Sequence, residues 1–264
     1  MDPILYERRG PVTVITLNLP EKMNALHYEA NMALIDCFRR FGEDDDARVA
    51  VVTGAGEKAF CAGADLKTYT MQYATRPAPY FREKFVDGHG FGGITRNLKV
   101  DKPIIAAING HAMSGGFELM LAVDIRFCSP NALFAIQDVN WGMHPCDGGC
   151  VRLPRIVGLG NAMEIILSGD RFDSRHALRI GLVNRIIPQE TLLAETIRFA
   201  EVLATRGPLA QRFVKDVARR APGLSLEEAI RVECRSFADL AHTVDITEGV
   251  RSFAERRQPR FTGQ

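Results

Sequence analysis

Two glycine-bearing turns, "AFCAGADL" and "GHAMSGGFEL", each carry an acid, Asp65 and Glu118, close behind small residues. Glycine lets another atom approach the backbone. A turn that opens a helix also presents amide N–H groups with no intrahelical acceptor, in a place that favours negative charge. In the second turn that places the Gly115 N–H at or near the first turn of a helix. Two donors of this kind converging on one point would stabilise a carbonyl oxygen as it gains charge, and losing one donor typically costs ~3–4 kcal/mol. Glu118 follows Gly115 by nearly one helical turn, so its side chain can return to the same place. The chemistry available is polarisation of a carbonyl together with proton transfer by a carboxylate.

The elements that must position these turns are legible as patterns. "ILYERRGPVTVITLN" predicts a β-hairpin around Arg8-Arg9-Gly10. "HYEANMALIDCFRRFGED" predicts a helix with Ala30, Leu34, Cys37, Phe38 and Phe41 on one side. "RVAVVTG", "KPIIAAING", "DIRFCSP" and "ALFAI" read as short strands, and "LVNRIIP" as another. The two turns are expected to follow the Val49–Thr53 and Ile104–Ile108 strands. In open α/β sheets that is where ligands bind. From about residue 160 the chain is expected to be mostly helical, with four helical stretches from Gln189 to about Arg257. Ser225 followed by Glu228 gives a capping signal. Thr68 to Asn97 is the least regular stretch and is expected to shape a site.

Bulk properties exclude several classes. The 264 residues suit one large α/β domain or a core with a small appendage. A formal net charge of +1 argues against nucleic acid or an anionic membrane as partner. No apolar run approaches the ~18 residues of a membrane span. The N-terminal stretch lacks a secretory layout, so a cytoplasmic location is expected. The six cysteines are scattered, only Cys146 and Cys150 are close, and free thiols rather than a metal site are expected. "VVTGAGEKA" imitates a dinucleotide fingerprint. The next segment, "FCAGADL", is no apolar helix, and no acid ends a second strand about 20 residues on, so a nucleotide cofactor is not expected.

The stretches "EKMNALH", "KAFCAGADLK", "KPIIAAINGHAMSGGFELMLAVDIRF", "FAIQDVNWGMHPCDGGCVRLPRIVG", "AMEIILSGDRFDSRHALRIGLVNRII" and "FAERRQPRFTG" resemble the successive landmarks of the crotonase superfamily, the enoyl-CoA hydratase/isomerase group. "RLPRIVG" and its surroundings are similar to carnitinyl-CoA dehydratase-like members. The resemblance implies an α/β fold, a right-handed ββα superhelix over residues 1–200, with a helical oligomerisation region over 201–264. It implies a homotrimer or a dimer of trimers. It implies an acyl-CoA thioester as partner, with coenzyme A part of the substrate and no separate cofactor or metal. Matched motif by motif, the amides of Ala64 and Gly115 would be the oxyanion donors, and Glu118 and Asp138 the catalytic carboxylates. Lys22, Ala25, Ala62, Asp65, Leu66, Lys67, Gly116, Trp141, Phe253 and Arg256 would contact the substrate, the last two often from a neighbouring subunit.

For hydration of a 2-enoyl thioester, the resemblance implies Glu118 as the group that activates water and Asp138 as its acid partner. Two nearby acids tend to separate in pKa, so that one is protonated while the other is ionised. Two departures stand out. Asp138 replaces the usual Glu and is about 1.5 Å shorter. Cys146 occupies a position where isomerases and dehalogenases of the family carry an acid, and Asp147 beside it reaches the pocket only with a local shift. His89 and His111 are expected to be structural. Trp141, with Tyr69, Tyr73, Tyr80, Phe81, Phe85 and Phe91, is expected to line or close the acyl side. The alternatives are an isomerase, which moves a proton without adding water, and a silent acyl-CoA-binding protein.

Overall fold

The computed structural model describes residues 2–71 and 75–264. Tyr73 lies outside them, as do the side chains of Phe81 and Phe85. The hairpin forms as expected: β1 (Ile4–Arg9) pairs antiparallel with β2 (Val12–Leu17). Helix α1 (Tyr28–Glu43) comes next, capped by the His27 side chain and burying Ala30, Leu34, Ile35, Phe38 and Phe41 at helical spacing. The chain then alternates between two sheets. β3 (Val49–Gly54) enters the first sheet and β4 (Ala59–Cys61) the second. β5 (Ile104–Ile108) enters the first, β6 (His111–Met113) the second, and helix α2 (Gly115–Ala122) covers the step. β7 (Ile125–Cys128) and β8 (Leu133–Ala135) repeat the alternation. With β9 (Phe172–Asp173) and β10 (Arg185–Ile186) the sheet orders are β1-β2-β3-β5-β7-β10 and β4-β6-β8-β9. The repeating strand–strand–helix step is that of the crotonase fold.

The central strands of the first sheet are parallel and buried on both faces, which is why they read as apolar runs rather than alternations. Period-two geometry still sorts their side chains. Ala50, Val52, Ile104, Ala106 and Ile108 join the cluster between the sheets with Phe38, Phe60 and Phe117. Val49, Val51, Ile105, Ala107 and Phe127 face the other way, onto Leu192, Ile197, Ala200 and Ala204. The second group belongs to a helix (Gln189–Ala204). Each fully buried Leu, Ile or Phe contributes ~1.5–3 kcal/mol.

The two glycine turns follow β3 and β5 as expected, and each contains a short strand, β4 and β6, that joins the second sheet. Two expectations are corrected. Helical structure begins at Gly149, not near 160, with α3 (Gly149–Val157) and then α4 (Leu159–Ser168). Pro154 inside α3 and a glycine N-cap in place of a side-chain cap mask that start. The stretch 68–97 contains short helical turns at Ala78–Phe81 and Arg82–Val86. "LVNRIIP" supplies only the two residues of β10. Beyond α5 (Ser174–Arg179) the four helical stretches appear as expected: α6 (Gln189–Ala204), α7 (Pro208–Arg220), α8 (Leu226–Leu240) and α9 (Val244–Ala254). The Ser225–Glu228 capping box is formed.

The corner from β3 to β4 is held by two buried amides. Asn109 Oδ1 accepts from the Gly54 N–H at 3.0 Å, and its Nδ2 donates to Gly56 O at 2.7 Å. Asn24 Oδ1 accepts from the Leu19 N–H at 2.9 Å, and its Nδ2 donates to Ala59 O at 2.8 Å. Because this corner ends in a three-residue strand and not in a helix, the "GAGEKA" stretch is a turn, as expected from its sequence. Asn109→Ala strands the Gly54 amide and the carbonyls it serves. The expected loss of stability is about 1–3 kcal/mol, read as a lower denaturant midpoint at constant slope.

Candidate active site

The two glycine turns leave neighbouring parallel strands. β4 and β6 pair through Cys61↔Ala112, so both turns emerge side by side at the same end of the second sheet. Gly63 sits at φ +95, and a Cβ there would lie 3.0 Å from the Met113 carbonyl oxygen and 3.1 Å from the Gly115 nitrogen. A Cβ on Gly116 would overlap the Cys61 carbonyl oxygen and lie 2.7 Å from the carbonyl carbon. The bare glycines therefore let one turn rest directly on the other. Gly115 is the first residue of α2, so its N–H has no intrahelical acceptor. Ala64 bridges to Leu26 in parallel: the Leu26 N–H donates to Gly63 O, and the Asp65 N–H donates to Leu26 O, each at 2.9 Å. That pattern turns the Ala64 N–H away from the paired chain.

The same pairing draws the first motif along the second. The Ala62 N–H donates to Met23 O at 3.0 Å. Lys22 Nζ stands 4.0 Å from Asp65 Oδ2, while Asp65 Oδ1 accepts from the N–H groups of Lys67 and Thr68. Lys22, Ala25, Ala62, Asp65, Leu66 and Lys67 thus share one neighbourhood, with Lys22, Leu66 and Lys67 exposed. Phe253 and Arg256 are not gathered there. Both are exposed at the end of α9, Phe253 at 87 %, and neither makes a hydrogen bond to these residues among the described ones. Trp141 is 66 % exposed at the end of the short turn Asp138–Trp141.

Glu118 is buried on α2, and its anchoring is specific. Its Oε1 accepts from the Asp147 N–H at 2.7 Å and from the Gly149 N–H at 2.8 Å. Both donors lie at the start of α3, where the helix end favours a carboxylate. Both take Oε1, which leaves Oε2 without a hydrogen bond among the described residues. Burial pushes the Glu118 carboxyl up to about 8, helped by the neighbouring Asp147 charge and opposed by the two amides. Burial also raises the Asp138 carboxyl, against the pull of the Ser114 hydroxyl beside it. Asp138 opens a short turn (Asp138–Trp141) without capping it, and its Oδ2 is buried with no partner among the described residues. Ser114 immediately precedes Gly115, so Asp138 lies at the donor end of α2.

Asp147 points elsewhere. Its Oδ1 accepts from the Phe91 N–H at 2.9 Å, Thr95 Oγ1 at 2.7 Å and Arg96 Nε at 3.0 Å. Cys146 reaches solvent in part, but its sulfur lies 3.8 Å from Asp147 Oδ2. Desolvation, with the Asp147 and Glu118 carboxylates nearby, pushes this thiol up to about 12 and removes it as a nucleophile at neutral pH. His111 lies in β6, and its Nδ1 is buried without a partner among the described residues. No cluster of metal-ligating side chains occurs among the described residues.

The aromatic wall is small. Phe91 packs edge-on to Tyr69 with ring centroids 6.4 Å apart, and a Cβ on Gly115 would lie 3.3 Å from the Phe91 ring. Asn31 fixes both partners: its Nδ2 donates to Tyr69 Oη at 3.2 Å, and its Oδ1 accepts from the Gly92 N–H at 2.7 Å. Sequence reasoning missed Asn31, the Gly149 amide and the loop partners of Asp147. The signal for the Gly149 amide was the "DGG" preceding "CVRLPRIV", a helix start built from backbone donors.

Known proteins similar to this chain are numerous. The sequence pattern described as "Enoyl-CoA hydratase/isomerase" matches residues 7–264. A carnitinyl-CoA dehydratase of Citrobacter koseri is 37% identical over 263 residues, covering 98% of each chain. One of Salmonella heidelberg is 38% identical over 261 residues, covering 97% of each. Among solved structures, an enoyl-CoA hydratase of Mycobacterium tuberculosis superposes with a TM-score of 0.90 at 33% identity over 100% of both chains. One from Bacillus anthracis gives 0.89 at 32% identity, over 99% of this chain and 100% of its own. With the match running through nearly every residue of the fold and both glycine turns, the chain belongs to the enoyl-CoA hydratase/isomerase family of enzymes.

Proposed function

We propose that the protein is a carbon–oxygen lyase that removes water from a 3-hydroxyacyl-CoA thioester, or adds it to the 2-enoyl form. The observation that carries this reading is the Glu118 carboxyl, buried, held through Oε1 by two amides, and left with Oε2 for a reactant. With its carboxyl pushed up to about 8, Glu118 holds the proton of the pair at neutral pH, and Asp138 serves as the base. That is the form ready for dehydration. Glu118 gives its proton to the C3 hydroxyl, which leaves as water. Asp138 takes the proton from C2, and the C2–C3 double bond forms. The amides of Ala64 and Gly115 hold the thioester oxygen while it carries charge. Run backwards, Glu118 takes the proton of the attacking water, the role that the family resemblance implies.

In this reading Lys22, Ala25, Ala62, Asp65, Leu66 and Lys67 hold the coenzyme A part of the substrate, and Gly116 keeps the two turns in contact. Trp141, Tyr69 and Phe91 bound the acyl part. The carnitinyl-CoA dehydratase relatives support a dehydratase of this class. Exposed Phe237, Val250 and Phe253 on α8 and α9 support assembly of residues 201–264 into a homotrimer or a dimer of trimers, which brings Phe253 and Arg256 to a neighbour's substrate. No helix among the described residues is long and apolar enough to cross a membrane. The test is the absorbance of the enoyl thioester in a panel of 2-enoyl-CoA and 3-hydroxyacyl-CoA substrates. Enzyme-dependent loss from the first set and gain from the second is expected; binding without change in any member contradicts the reading.

A further inference from the structure

One residue outside the reacting pair ties that pair to the loop over the donor turn. Asp147 gives its backbone N–H to Glu118 Oε1 at 2.7 Å. Its side chain holds the 91–96 loop through Phe91 N–H, Thr95 Oγ1 and Arg96 Nε. Its carbonyl accepts from Arg152 Nη1 at 2.9 Å, and Arg152 Nη2 reaches back to Thr95 O at 2.7 Å. Phe91 in turn packs on Gly115. A shift of the loop is therefore transmitted through a chain of short hydrogen bonds to the oxygen that anchors Glu118.

We propose that Asp147 is a positioning residue: its carboxylate locks the Phe91–Arg96 loop to the amide that orients Glu118, so that closure over the thioester end and placement of the proton carrier are one event. The proposal rests on the reading of Glu118 as proton carrier. Neutral side chains at 147 would serve the amide equally well, since the backbone supplies it. What the carboxylate adds is three loop contacts and a negative charge close to Glu118.

That charge gives a readout that mere loosening does not reproduce. Around Glu118 stand Asp147, Asp138, Cys146, Cys150 and Arg152; around Asp147 stand Arg96, Arg152, Tyr69 and Cys146. The Asp147 charge raises Glu118, and the Arg96 guanidinium, 3.0 Å from Asp147, carries the opposite charge. Asp147→Asn and Arg96→Gln should therefore shift Glu118 in opposite directions, downward and upward.

The experiment titrates the full-length enzyme and both variants in two ways. One is the infrared acid band of Glu118 in the free enzyme, identified by its loss in Glu118→Gln. The other is the alkaline limb of kcat/KM for the best enoyl-CoA substrate of the panel. Expected are both midpoints lower in Asp147→Asn, both higher in Arg96→Gln, and kcat reduced ~10–10²-fold in a third variant, Asp147→Ala, which removes the oxygen that accepts all three loop contacts and so lets the Glu118 carboxyl shift. Unmoved midpoints, or movement in the same direction in both variants, overturn the proposal. A moving infrared band with an unmoved rate profile upholds the coupling and overturns Glu118 as the proton carrier. If Asp147→Asn does not fold, Arg96→Gln decides alone by the direction of its shift.

Discussion

Glu118→Gln lowers turnover ~10²–10⁴-fold, the usual worth of a general acid–base group, while the chain stays folded. Gln still offers Oε1 to the amides of Asp147 and Gly149, so the start of α3 keeps its acceptor. What is lost is the transferable proton. Stability moves the other way. The Glu118 carboxyl stands at about 8 in the folded chain, against 4.5 for an ordinary glutamate. Between these values the native state holds a proton that the unfolded chain has released. Folding then takes up a proton, and native stability falls as pH rises from about 4.5 to about 8. Each pH unit of that gap is worth about 1.4 kcal/mol, so the penalty reaches a few kcal/mol above pH 8. Gln carries no such penalty. The expected result is a variant as stable as its parent below pH 4.5 and more stable above pH 8, with activity gone, measured by urea unfolding and by enoyl-CoA turnover. The parent's kcat/KM falls as pH rises through about 8, where the pair loses its last proton.

Gly116→Ala is expected to be nearly as damaging to activity, for a geometric reason. The added Cβ overlaps the Cys61 carbonyl, a backbone atom that cannot rotate away. The first turn must move off the second, and with it the Ala64 amide moves away from the Gly115 amide. Displacements near 1 Å cost ~10²-fold in rate. Overpacking of this kind costs ~1–3 kcal/mol of stability. A kcat decrease of that size with a modest change in KM, alongside a lowered melting temperature, is the expected pattern. Unchanged kcat would show that the contact of the two turns does not position the donors.

Much of this arrangement was legible in the residues, and the parts that were not share a cause. Local signals placed the hairpin, α1 and the capping box at Ser225, because each is decided within a few residues. The glycine pairs flagged the two turns, because a close approach needs a bare backbone. The second sheet escaped notice, because β4 and β6 are three residues each and their pairing joins positions about fifty apart in the chain. Helix α3 was hidden by Pro154 and by a cap made of glycine amides. Its start is what holds Glu118, so the anchoring of the central acid depends on a contact spanning some thirty residues. From the residues, Asp138 stood out only as about 1.5 Å shorter than the usual Glu. In the fold it lies beside Ser114 at the donor end of α2, where its Oδ2 is buried and unpartnered among the described residues.

Hydration adds an oxygen from water at C3, whereas isomerisation moves a proton and the double bond and takes up no oxygen. The direct test is to incubate the enzyme with a 2-enoyl-CoA thioester in oxygen-labelled water and to locate the label by mass spectrometry. The mechanism predicts one labelled hydroxyl at C3, formed by the parent and reduced with turnover in Glu118→Gln. A shifted double bond with no label in any product would contradict it.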